Sequence, residues 1–148
     1  MAAMIFMGTG NNVFADDEVT YDSNMQTKKF DVNVKVGKDG SYTVTENIKV
    51  KFVNPRHGIY RYIPYKGNVV TIDKNGGQKK LLYYADFDLL KNDSNTDLQE
   101  DSDGNSEVLQ FGSEDSTVNE ENYKFTYQLT PQYQGDTFDY LYYNIFPT

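Results

Sequence analysis

Residues 30–52 read FDVNVKVGKDGSYTVTENIKVKF, and the order of apolar side chains within them decides the fold. Phe30, Val32, Val34 and Val36 alternate with Asp31, Asn33 and Lys35. Tyr42, Val44, Glu46, Ile48, Val50 and Phe52 then alternate with Thr43, Thr45, Asn47, Lys49 and Lys51. A repeat of two is that of a strand with one face in a core and the other in water. The intervening Gly37-Lys38-Asp39-Gly40-Ser41 is turn chemistry. A two-residue Asp39-Gly40 loop sets Val36 against Thr43 and Val34 against Thr45, which mixes the two faces. A three-residue Lys38-Asp39-Gly40 loop sets Val36 against Tyr42, Val34 against Val44 and Phe30 against Ile48, and keeps every apolar side chain on one side. The spacing therefore predicts the three-residue loop, with Gly40 supplying its left-handed residue.

The same period runs outward from this hairpin. Residues 68–74 (NVVTIDK) are predicted as a strand closed by Asn75-Gly76-Gly77. Residues 81–90 (LLYYADFDLL) fit a strand or a short helix, with aromatic content favouring the strand. Residues 91–107 (KNDSNTDLQEDSDGNSE) hold Leu98 as their one large apolar side chain, too little to offset ordering entropy, so a mobile acidic loop is expected. A short strand follows at 108–111 and a polar connection at 114–122. Tyr123, Phe125, Tyr127 and Leu129 then alternate with polar residues up to Pro131. Residues 137–146 (TFDYLYYNIF) are aromatic on both faces, as in a strand covered from both sides. Short alternating strands, glycine turns and no substantial helix predict an all-β antiparallel sandwich, immunoglobulin-like in general architecture. The last strand has no visible successor, so the domain is expected to continue past Thr148.

The chain has 148 residues, 14 Lys plus Arg against 22 Asp plus Glu, 13 Tyr, 9 Phe, one His and no Cys. The length suits one domain. A net charge of −8 argues against nucleic acid as a partner, because phosphates are neutralised by clustered Lys and Arg. The absence of cysteine removes disulfides and thiolate chemistry, and one histidine removes multi-histidine metal sites. Residues 1–15 (MAAMIFMGTGNNVFA) carry no charge, and Val13 and Ala15 stand at the −3 and −1 positions of an A-x-A-like cleavage site. They read as the remnant of a signal peptide or as a disordered leader. Residues 16–148 are then the β-sandwich, exported and possessing no apolar stretch near the roughly 18–20 residues needed to cross a bilayer.

The succession of FDVNVKVGKDGSYTVTENIKVKF, HGIYRYIP, EVLQFGSED, YKFTYQL and DYLYYNIF resembles the amino-terminal region of the bacterial family called domain of unknown function 2207, which are predicted membrane proteins. The matching places are Asp39-Gly40-Ser41, Val44-Thr45-Glu46, the segment from Gly58 to Pro64 and Tyr142-Tyr143-Asn144. The resemblance implies a signal peptide, an extracytoplasmic β-domain and later transmembrane helices that lie outside this chain. It implies no activity.

Glu46 stands in an otherwise apolar stripe, opposite Val32 in the predicted register. A carboxylate facing a core needs a partner or a proton. In family terms that partner is Arg61 of the YRYIP segment, binding it with two prongs between Tyr60 and Tyr62. The pair would pin residues 56–64 over the sheet edge; the alternatives are a glutamate reaching water at the rim and a catalytic acid or base. Asp101, Asp103, Asn105 and Glu107 have oxygen ligands at alternate positions, as in a calcium loop, but Ser106 replaces its glycine and Gly112 its closing glutamate. Tyr140, Tyr142 and Tyr143, with Tyr60 and Tyr62, are candidate surface for a sugar or protein; core packing is the plainer reading of 140–143. His57 lies in a turn, and no serine has the G-x-S-x-G setting of a nucleophile.

Two functions follow as expectations. The first is a non-enzymatic extracytoplasmic module of a membrane-anchored protein, presenting loops and an edge to a protein or envelope ligand. The second is an enzyme acting on cell-wall glycan, with Glu46 as acid or base. The sequence carries no cofactor motif, and none is expected.

Overall fold

The computed structural model describes residues 24–72 and 75–132. The expected leader at 1–15 and the expected strand at 137–146 lie outside the described residues. Eight strands follow in chain order: β1 (Met25–Val36), β2 (Tyr42–Arg56), β3 (Gly58–Pro64), β4 (Lys66–Ile72), β5 (Gln78–Asn92), β6 (Leu98–Ser102), β7 (Ser106–Gly112) and β8 (Val118–Pro131). They form a five-stranded sheet of order β1-β2-β8-β5-β4 and a three-stranded sheet of order β3-β7-β6, with every pairing antiparallel. The two sheets pack face to face as an all-β sandwich, with no helix among the described residues.

The first hairpin has the register that the apolar pattern demands. Val36 faces Tyr42, Val34 faces Val44 and Phe30 faces Ile48. Gly40 adopts φ +82° in the three-residue loop, and the Asp39 carboxylate accepts hydrogen bonds from the Ser41 hydroxyl (2.7 Å) and amide (3.1 Å). Residues 81–90 lie within a strand, β5, because Tyr83 and Ala85 turn inward while Tyr84 and Asp86 turn out. β8 begins at Val118, inside the stretch expected as a polar connection.

Residues 91–107, expected from composition to form a mobile loop, instead contain β6 and the turn into β7. An edge strand needs little apolar surface, because its order comes from pairing along one side. β6 pairs with β7 from Leu98 opposite Phe111 to Ser102 opposite Glu107, and Leu98 packs against the core. The turn is held by the Asp103 carboxylate, which accepts from the amides of Asn105 (2.8 Å) and Ser106 (2.6 Å).

The core is built on the two central strands. β2 contributes Tyr42, Val44, Ile48, Val50 and Phe52, and β8 contributes Tyr123, Phe125, Tyr127 and Leu129. Across the layers, the Phe111 ring of β7 sits 4.9 Å from Phe125 and 5.4 Å from Tyr123. The chain changes sheets at the corner between β2 and β3. There Gly58 pairs with Gly112 at φ +155° and +118°. A Cβ on Gly58 would lie 1.7 Å from the Phe111 carbonyl oxygen, and one on Gly112 would lie 1.8 Å from that of His57. Only two glycines allow this backbone approach.

Candidate functional site

The alternation of β2 carries Glu46 inward with its apolar neighbours, and that of β3 carries Arg61 inward between Tyr60 and Tyr62. The two side chains meet between the sheets. Arg61 Nε donates to Glu46 Oε2 at 2.8 Å, and Nη2 donates to Oε1 at 2.9 Å. The Tyr127 hydroxyl of β8 donates to the same Oε1 at 2.8 Å, and Arg61 Nη1 reaches the Tyr62 carbonyl. Glu46 is 0% exposed and Arg61 4%. Both oxygens of this enclosed carboxylate are thus engaged, by the two-pronged guanidinium and by the phenol. The group spans three strands and both layers, so it fixes the small sheet on the large one.

Tyr60 and Tyr62 point the other way, onto the outer face of the three-stranded sheet, where they are 60% and 50% exposed. Gln110 and Val108 stand opposite them on β7. Tyr140, Tyr142 and Tyr143 lie outside the described residues.

Asp101, Asp103, Asn105 and Glu107 all lie on the β6–β7 hairpin, with Asp103 and Asn105 adjacent in its turn. Asp101 pairs with Val108 and Glu107 with Ser102, so the two acids point to opposite sides of the sheet. The turn itself occupies Asp103, whose amide hydrogen bonds hold its carboxyl below the usual carboxylate range. Among the described residues no three His, Cys, Asp or Glu side chains converge as a metal cage. Glu107 instead lines a cleft of about 200 Å³ with Tyr65, Tyr84, Ala85, Asp86 and Phe87. Burial, then the charges of Glu100 and Asp101, push its carboxyl above the ordinary glutamate value. Asp86 accepts a hydrogen bond from the Gln132 amide. Glu46 is not part of this cleft.

His57 is exposed at the sheet-switching corner, with Nδ1 2.8 Å from the Ser116 carbonyl and 3.1 Å from that of Ser113, so it fastens the connection between β7 and β8. Four tyrosine hydroxyls carried no recognisable mark in the sequence. Tyr127 looks like any core tyrosine until β8 is known to lie beside β2. Tyr42 and Tyr83, 41 residues apart, join their hydroxyls in the core. The Tyr123 hydroxyl is enclosed with no hydrogen-bond partner among the described residues, and burial followed by Glu121 pushes its pKa up to about 12.

The family model described as the N-terminal domain of the predicted membrane protein DUF2207 matches residues 26–148. The chain belongs to this family. Membership in DUF2207 associates it with a membrane, although no helix among the described residues is long and apolar enough to cross one. The DUF2207 match spans β1 to β8, including the strands that bring Glu46, Arg61 and Tyr127 together. No curated protein and no solved structure matches the chain.

Proposed function

We propose that the chain is the extracytoplasmic β-sandwich of a bacterial membrane protein and acts as a non-catalytic interaction module at the cell envelope. The observation that supports this reading is the alternation along β3. Its inward Arg61 is bound to Glu46, and its outward Tyr60 and Tyr62 are half exposed on either side of that anchor. A strand pinned from within is a rigid platform, and rigid tyrosines offer apolar area and a hydroxyl at little entropic cost. A protein or an envelope polymer with flat apolar and hydrogen-bonding surface suits such a platform. Glu46, by contrast, has no open side from which a substrate could take or give a proton.

The test is sedimentation of the chain with isolated cell envelopes, together with the Tyr60→Ser/Tyr62→Ser double variant. The expected result is retention by envelopes, weakened about tenfold by the double substitution, with no soluble glycan released. Equal retention of both proteins contradicts the tyrosine platform, and glycan release abolished by Glu46→Gln establishes the enzyme instead. Protease treatment of intact cells locates the domain: cleavage from outside is expected, and protection until lysis contradicts the extracytoplasmic placement.

A further inference from the structure

Residues 66–84 carry four lysines against one aspartate in a chain whose net charge is −8. Residues 66–72 and 78–84 pair as the β4–β5 hairpin, in which Lys66 pairs with Tyr84 and Val70 with Lys80. Val70 and Ile72 of β4 and Leu82 and Tyr84 of β5 share its outer face and are 53%, 71%, 44% and 37% exposed. Nearer the middle of the same sheet that face is polar: Thr45 and Thr126 hydrogen-bond across it at 3.0 Å, and Thr43 stands opposite Gln128. Exposed apolar side chains scattered singly are ordinary, whereas four gathered on one two-stranded ribbon mark a surface that meets a partner.

Charge selects the partner. The hairpin is basic and the rest of the chain is acidic, so an anionic surface attracts this end of the molecule and repels the remainder. A second copy meeting hairpin to hairpin about a two-fold axis would bring like-charged lysines together. Lysine stems lie along apolar surface while their ammonium groups reach the phosphate level. The family is one of predicted membrane proteins, so a bilayer lies within reach of the domain. We propose that the outer face of the β4–β5 hairpin docks on the surface of an anionic lipid bilayer, with Val70, Ile72 and Leu82 entering the interface and Lys66 and Lys80 meeting the headgroup phosphates. This docking depends neither on which side of the membrane the domain occupies nor on the Tyr60 and Tyr62 platform.

The experiment is flotation of the 148-residue chain with vesicles of phosphatidylglycerol and phosphatidylcholine, and with phosphatidylcholine alone. Binding to the anionic vesicles is expected, weakened about tenfold or more by high salt and by Lys66→Gln/Lys80→Gln. Ile72→Ser/Leu82→Ser is expected to weaken it comparably at an unchanged melting temperature, because both side chains are exposed. A photo-reactive amino acid at position 72 is expected to cross-link to lipid. Absence of flotation, or flotation indifferent to these substitutions, overturns the proposal. So does cross-linking to a second copy, or to residues 133–148 of the same chain in place of lipid.

Discussion

Glu46 was conspicuous because a single charge interrupts a run of apolar positions with a strict period, and the register fixed Val32 as its neighbour. Its environment could not be read in the same way, because Tyr127 comes from a strand 81 residues away. Two other residues show how burial acts when partnering is incomplete. The Tyr123 hydroxyl lies in the core without a partner among the described residues and so costs free energy that its ring must offset. Tyr123→Phe is expected to leave stability unchanged or raise it by up to about 1 kcal/mol, as followed by urea unfolding; a loss of more than that would mean that the hydroxyl has a partner. Glu107 has its carboxyl raised by burial and by Glu100 and Asp101. The folded protein therefore binds this proton more tightly than the unfolded chain. Its stabilising contribution is complete below the ordinary value of 4.5 and is lost as pH climbs through the raised folded value. Glu107→Gln is expected to raise the melting temperature at neutral pH and to change little well below pH 4.5. A drop at neutral pH would show that the charged form is the stabilising one.

β1, β2 and β8 are visible in the sequence as alternation, and the hairpin loop followed from register alone, whereas β3 is too short and too polar at Arg61 to stand out as a strand. β6 escaped because a paired edge is ordered by backbone hydrogen bonds and by Asp103 capping the turn, and neither depends on apolar content. The corner between β2 and β3 escaped for a different reason. Gly58 and Gly112 are 54 residues apart, and each is required only because the other backbone lies against it. Gly58→Ala and Gly112→Ala are each expected to destabilise by about 3 kcal/mol or more, since neither the backbone nor the positive φ accommodates a Cβ. The double variant should cost less than the sum, because the first substitution already opens the corner. Two single variants with wild-type melting curves would show that the corner is not closed in solution.

The molecule as a whole is a large sheet carrying a small one, and the small sheet has few strands with which to hold its place. Ile63, Leu109 and Phe111 supply its apolar grip. The ion pair between Glu46 and Arg61, with Tyr127, supplies the orientation, because a bidentate pair fits one geometry whereas apolar contacts tolerate sliding. A buried pair of this kind stabilises little relative to apolar residues of the same shape, yet costs about 3–5 kcal/mol when only one partner is removed. The most direct measurement of that role is a double-mutant cycle by thermal unfolding. Glu46→Met and Arg61→Leu singly are expected to lower stability by about 3 kcal/mol each, with the Glu46→Met/Arg61→Leu double variant recovering most of the loss. Single variants that melt like the parent protein would contradict the account.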